Sequence, residues 1–288
     1  MKKLISLLSI ALIAISCTEG DNAVDYVLDN FQTGAVLRTI SIDPTAGNWK
    51  GEYNVFDLPG SVFKVEIEEH DKENGGLFKD VEVFVSYAGN EALLKTMQPG
   101  EFTTGPTGLP RASLEVSLGD ALSALSLSGS DVDGGQAVNI RLQLNLTDGS
   151  SYTAKDAASS LTGSYFNSPY QYNKIIKCIP TAPVAGEYTL VMNDSYGDGW
   201  NGASLTVTID GTATDYSVTS AQGASNTETF TVPEGTSTFT IAYNSGAWDS
   251  EVTYTISHDN GAGKVQTALA EGPNPTIGTD GKTMSICP

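Results

Sequence analysis

The sequence predicts an all-β protein made of two β-sandwich domains behind an export signal. Three observations carry this. Short runs of β-branched and aromatic residues alternate at period two, Gly, Pro, Asn and Asp punctuate them, and the N-terminus has the form of a secretion signal.

The chain starts Met1-Lys2-Lys3, continues with an apolar run over 4–15, and reaches Ser16-Cys17. The run falls short of the roughly 20 residues a spanning helix needs. Ala14-Ile15-Ser16-Cys17 resembles a bacterial lipobox. The resemblance implies a signal peptide over 1–16 and an acylated, palmitate-bearing Cys17. It also implies a location at the cell outer membrane or cell surface. A plain signal peptide is the alternative, because Ala14 is an unusual first residue of that box. Residues 17–24 then form a polar, acidic, lipidated tether.

Charge narrows the partners. The chain has 15 basic and 34 acidic residues, a formal net charge of −19. Lys2 and Lys3 leave with the signal peptide, so 13 basic residues remain against 34 acidic ones, a net −21. Nucleic-acid binding needs a basic footprint, so it is excluded. Docking on anionic lipid by charge is excluded for the same reason, which leaves the lipid anchor as the membrane link.

Nine runs read as strands: 62–68, 81–87, 113–116, 138–146, 187–192, 204–209, 227–232, 238–243 and 252–256. Asp148-Gly149, Asp210-Gly211, Asn260-Gly261 and Asp280-Gly281 sit between or beyond them as turn pairs. Many short strands at this spacing read as sandwiches. One segment breaks the pattern. Leu118, Leu122 and Leu125 share a helical face, with Ser117 as N-cap, which predicts a short helix over a sandwich end.

Pro180 and Pro183 favour an extended linker, so the boundary falls near Cys178. The first sandwich then covers 25–177 and the second 178–288. With Cys17 acylated, an exported chain is expected to pair Cys178 with Cys287. Both belong to the second domain in this reading, and the bridge clamps its two ends across 109 residue steps. The chain-entropy model assigns such a loop about 4–5 kcal/mol.

The segment Asp194-Ser195-Tyr196-Gly197-Asp198-Gly199-Trp200-Asn201-Gly202 carries the most specific chemistry. It follows directly on the strand 187–192. Asp194 and Asp198 flank a glycine turn, Asn201 adds an amide, and Trp200 is expected to anchor the loop in the core. Carboxylates at this spacing suit a calcium ion, which takes about 6–8 oxygens. An EF-hand is excluded, because Leu205 stands where its bidentate Glu belongs. The alternative is that these acids only cap a turn through backbone N–H groups.

Together with Tyr188-x-Leu190 and the later Trp248-Asp249-Ser250-Glu251, this segment resembles a small β-sandwich module. The module is appended to secreted proteases and adhesins and is similar in outline to calcium-binding CUB domains; the resemblance covers about 184–262. It implies a CUB-like or jelly-roll-like second domain. It also implies a calcium set of Asp194, Asp198, Asn201 and Glu251, the last arriving from a distant strand. The block from Leu118 through Leu146 resembles the immunoglobulin-like domain of starch-utilisation surface lipoproteins. That implies an Ig- or FN3-like first domain.

Two further groups are candidates. Glu66, Glu68, Glu69, His70, Asp71 and Asp80 surround Asn74-Gly75-Gly76, with Asp131 and Asp133 elsewhere. They read as a charged hairpin tip or, alternatively, as a second calcium site. Tyr165, Tyr170 and Tyr172 form the densest aromatic stretch. They read either as a glycan-stacking platform or as rings of an edge strand turned into the core.

The chain has two histidines, His70 and His258, and no nucleophile elbow or zinc-type ligand set. The expected function is therefore a non-catalytic, surface-anchored protein that binds a polysaccharide or a surface partner. The alternatives are a structural spacer of an outer-membrane complex and a glycoside hydrolase using paired carboxylates.

Overall fold

The structure is a computed structural model and describes residues 34–164, 166–259, 261 and 264–288. The signal peptide, Cys17, the tether, Tyr165 and Asn260 lie outside the described residues. The fold is all-β, with the strands gathered into four sheets.

The first pair of sheets encloses one core. One sheet contains β1 (Val36–Ile42), β3 (Val62–His70), β6 (Thr103–Thr104) and β7 (Pro110–Ser117), in the order β1-β3-β7-β6. The other contains β2 (Tyr53–Asn54), β4 (Phe78–Tyr87), β5 (Asn90–Met97), β8 (Ala137–Leu146) and β10 (Gln171–Lys177), in the order β2-β10-β8-β4-β5, with β9 (Ser151–Tyr152) paired to β8. Alternation does the sorting. Val81, Val83 and Val85 of β4 face Leu114 and Val116 of β7 across the core, while the residues between them face outward.

The helix α1 (Leu118–Ala124) forms where the leucine spacing placed it, and Ser117 Oγ accepts the N–H of Asp120 at 3.0 Å. Leu118 and Leu122 are buried under it. A second short helical turn, α2 (Ser159–Thr162), precedes β10.

The second pair of sheets holds β14 (Ser225–Val232), β11 (Gly186–Asp194), β16 (Val252–Asp259) and β17 (Val265–Glu271) in that order. The facing sheet is β13 (Thr212–Tyr216), β12 (Ser204–Ile209) and β15 (Phe239–Asn244). Tyr188, Leu190 and Met192 of β11 meet Leu205 and Val207 of β12 in its core.

All nine expected strand runs are strands, most of them longer than read. Among those the sequence reading missed, β5 and β17 have compositions (Asn-Glu-Ala-Leu-Leu-Lys and Gln-Thr-Ala-Leu-Ala-Glu) that suit helices, and pairing with β4 and β16 overrides that preference.

Cys178 and Cys287 are bonded, with an S–S distance of 2.04 Å. The bridge does join the linker to the chain end, but both cysteines pack into the core of the first sandwich, not that of the second. β10 runs through Lys177, so Cys178 follows it directly and stays in the first core. Gly134 lies against the bridge: its N–H meets Cys287 Sγ at 3.1 Å, and a Cβ there would come within 2.9 Å of that sulfur. Asn54 bonds both the N–H and the C=O of Ile179, and Lys264 pairs with Asp133 at 3.3 Å. The junction is therefore a fixed joint, where two prolines had suggested only an extended linker.

A candidate cation site in the second sandwich

The central strand β11 ends at Asp194, and the loop that follows folds around this one side chain. Asp194 Oδ2 accepts the N–H groups of Gly197, Asp198 and Gly199 at 2.9, 2.8 and 2.8 Å, and Oδ1 that of Tyr196 at 3.3 Å. Such a ring of N–H donors is how a tight loop satisfies its backbone when a residue is only 4% exposed. Gly199 makes the ring possible. Its φ is +94°, and a Cβ would lie 2.7 Å from the Thr219 carbonyl carbon. Trp200 anchors the loop: it is 1% exposed, and its Nε1 donates to Asn193 O at 3.0 Å.

Glu251 reaches the loop through strand register. β11 pairs antiparallel with β16, and Asp194 stands opposite Val252. Glu251, one residue before, therefore lies beside the loop, and its carbonyl accepts Ser195 N–H at 3.0 Å. Oxygens of Asp194, Asp198 and Glu251 all lie within 4.8 Å of one another. Calcium–oxygen bonds of about 2.3–2.6 Å let one ion touch oxygens up to about 5 Å apart, so the three carboxylates stand near the spacing that a shared ion requires. Desolvation and the charges of Asp194 and Asp198 raise the Glu251 pKa above its ordinary value. A cation between the three relieves that crowding.

Asn201 stands beside Asp198 in the same loop. Its amide nitrogen donates to Asp198 Oδ1 at 2.7 Å and to Gly199 O at 2.8 Å. In this arrangement its amide nitrogen braces Asp198. Opposite the loop, the turn 245–251 is also stiff. Asp249 Oδ1 accepts Tyr243 OH and Gly246 N–H, and Ala247 N–H reaches Asn201 O at 3.1 Å. A cleft of about 310 Å³ opens there, lined by Tyr196, Asp198, Trp248 and Glu251.

The comparisons with known proteins add little to this geometry. No protein-family model matches the chain, and no curated protein does. Among solved structures, a Ca2+-stabilised adhesin that helps an Antarctic bacterium reach out and bind ice matches at 11% identity. The match covers 82% of this chain and 47% of that one, with a TM-score of 0.23. This chain spans about half the length of that adhesin, and at that TM-score the likeness carries no argument.

The other candidates separate in space. Tyr170 and Tyr172 are 2% and 9% exposed, so they are core residues and not a glycan platform. Tyr170 OH donates to Ala35 O, and Tyr172 OH pairs with Thr39 Oγ1.

The expected charged hairpin tip is largely interior. Glu68, Glu69, Asp71 and Asp80 are buried. Glu68 is held by Arg111, Arg38 and Thr107. Asp71 caps its own loop, accepting the N–H groups of Glu73, Gly75 and Leu77 at 2.6, 3.0 and 2.8 Å. Asp131 instead caps a turn at Ser128, and Asp133 pairs with Lys264. Among the described residues, a single group of three or more ligand-type side chains converges, and it is Asp194, Asp198 and Glu251.

Sequence reasoning missed the exposure of Tyr196 and Trp248. The available signal was position: both stand in Gly-containing loops, outside the alternating runs.

Proposed function

We propose that this chain is a non-catalytic, surface-anchored binding lipoprotein. It captures a polysaccharide or a surface partner, and calcium held by Asp194, Asp198 and Glu251 stiffens its second sandwich. The observation that carries the reading is the convergence of three carboxylates, from two chain segments, on a loop already fixed by backbone hydrogen bonds. Such a site rigidifies a sandwich outside the cell at the cost of bringing like charges together, which a divalent ion offsets.

Calorimetric titration of the purified protein with calcium tests this. Heat of binding and a raised melting temperature are expected, and the absence of both overturns the metal assignment. Palmitate labelling in cells, lost in Cys17→Ala, tests the anchor. A panel of glycans incubated with the protein is expected to remain uncleaved; turnover would favour the hydrolase reading.

The second reading is a structural spacer of an outer-membrane complex. The fixed joint around Cys178–Cys287, Gly134 and Asn54 favours it, because a spacer must hold an angle.

A further inference from the structure

Two aromatic side chains stand out of the second sandwich with no core to serve. Tyr196 is 76% exposed and Trp248 60% exposed, and Tyr196 is the most exposed of the large hydrophobic side chains among the described residues. They are distant in sequence, yet both line the cleft of about 310 Å³ beside Asp198 and Glu251. Each is presented by a stiff turn. The Tyr196 N–H belongs to the Asp194 ring, and the Trp248 carbonyl accepts Glu251 N–H at 3.0 Å. The rings are therefore displayed without being packed, on backbones that are already ordered. Backbone already held in place leaves only the side-chain torsions to be fixed when a ligand arrives.

The lining chemistry selects the occupant. Aromatic faces take flat, weakly polar C–H surfaces, and carboxylates are acceptors that need donors opposite them. A pyranose ring offers both, a C–H face and a rim of hydroxyl donors. The cleft lies at the small end of the ligand-pocket range of about 300–1,000 Å³, which suits one or two sugar rings. A net charge of −19 disfavours polyanionic glycans. Three carboxylates also leave part of a calcium shell of about 6–8 oxygens open, and ligand hydroxyls can complete it.

We propose that Tyr196 and Trp248 are the walls of a neutral-glycan subsite. Sugar hydroxyls donate to Asp198 and Glu251 or coordinate the cation those residues share. This rests on the binding-protein reading above and moves its ligand surface from the Tyr170–Tyr172 stretch to the cation loop.

The test is affinity electrophoresis of the purified protein in gels containing a β-glucan, a xylan, a mannan, a starch or, as the acidic control, polygalacturonate. Each gel is run with calcium and with chelator. Retardation is expected in at least one neutral gel. Tyr196→Ala and Trp248→Ala should each weaken it about tenfold, the equivalent of about 1.4 kcal/mol, with melting temperatures unchanged because neither ring is packed. Trp248→Phe should restore part of the retardation.

Undiminished retardation of the Tyr196→Ala/Trp248→Ala double variant overturns the subsite while leaving a glycan binder. Retardation in no neutral gel, with calcium binding intact by calorimetry, overturns the glycan assignment and leaves the metal assignment standing. Retardation only by polygalacturonate, or binding of a lysine-rich peptide at the same two rings, overturns the choice of a neutral ligand.

Discussion

The Asp71 loop of the first sandwich and the Asp194 loop of the second are built the same way and end up with different chemistry. Each follows the end of a strand, β3 in one case and β11 in the other. Each wraps backbone N–H groups around one buried carboxylate, three for Asp71 and four for Asp194. The surroundings differ. Beside Asp194, two further carboxylates from separate segments line an open cleft. Beside Asp71 lies Glu69, fully buried, with no donor reaching its ionised carboxylate; protonated, it can share a hydrogen bond with Asp71. Burial and the Asp71 charge push the Glu69 pKa up to about 8. An aspartate cap is thus a structural device in itself. It becomes a candidate cation site when neighbouring acids keep access to water and come from a second segment.

The largest effect expected from breaking this comparison is at the caps themselves. Asp194→Ala leaves four loop N–H groups without their acceptor and should destabilise the second sandwich by roughly 3–5 kcal/mol. Asp71→Ala should cost the first roughly 2–4 kcal/mol by the same mechanism. Thermal denaturation with and without calcium separates them: the deficit of Asp194→Ala should grow when calcium is added, and that of Asp71→Ala should not. Equal responses would mean the two loops do not differ in cation chemistry.

Glu69 should give a smaller effect of opposite sign. Its folded pKa lies above the unfolded value, so its contribution is fully present below about pH 4.5 and is lost as pH rises through about 8. Glu69→Gln removes the titration and should stabilise the protein by roughly 1–3 kcal/mol near pH 8, with little change at pH 4. Denaturant melts at both pH values check this, and a pH-independent difference would contradict it.

Gly199→Ala should cost roughly 1–3 kcal/mol, because it puts a Cβ at positive φ against the Thr219 backbone. Chemical denaturation followed by Trp200 fluorescence reports it.

The smallest effect on apo stability belongs to Glu251→Gln. It should weaken calcium binding about tenfold, as a lost charged ligand does. Because the Glu251 pKa is raised, protons compete with the ion, and calcium affinity of the wild type should fall as pH is lowered. Calorimetry at two pH values checks both, and an affinity independent of pH would remove Glu251 from the site.

Much of the fold was legible because its signals are local. The period-two runs became strands, Ser117 capped its helix, and Trp200 anchored the loop. Strands β5 and β17 were not legible, since their residues carry helical preference and only pairing with β4 and β16 makes them extended. The acidic candidates divided for a similar reason. Glu68, Glu69 and Asp71 look like a solvated run in sequence, but Arg111 and Arg38 cover Glu68, and the core closes over Glu69. Tyr170 and Tyr172 look like a platform until the turn before β10 sends the first ring, and β10 the second, into the first core.

By itself, the sequence determined the all-β class, the net charge of −19, and the glycine-rich segment 194–202 as a loop able to bend around a carboxylate. These follow from side-chain alternation, ionisable groups and glycine spacing, which act over a few residues. Only the tertiary structure decided that Glu251 meets Asp194 and that Tyr196 and Trp248 share a cleft. The same holds for the place of the Cys178–Cys287 bridge in the first core, although the pairing itself was legible in the sequence. Each of those is set by the register and packing of segments far apart in the chain, and one step of register would turn every side chain of a strand to the other face.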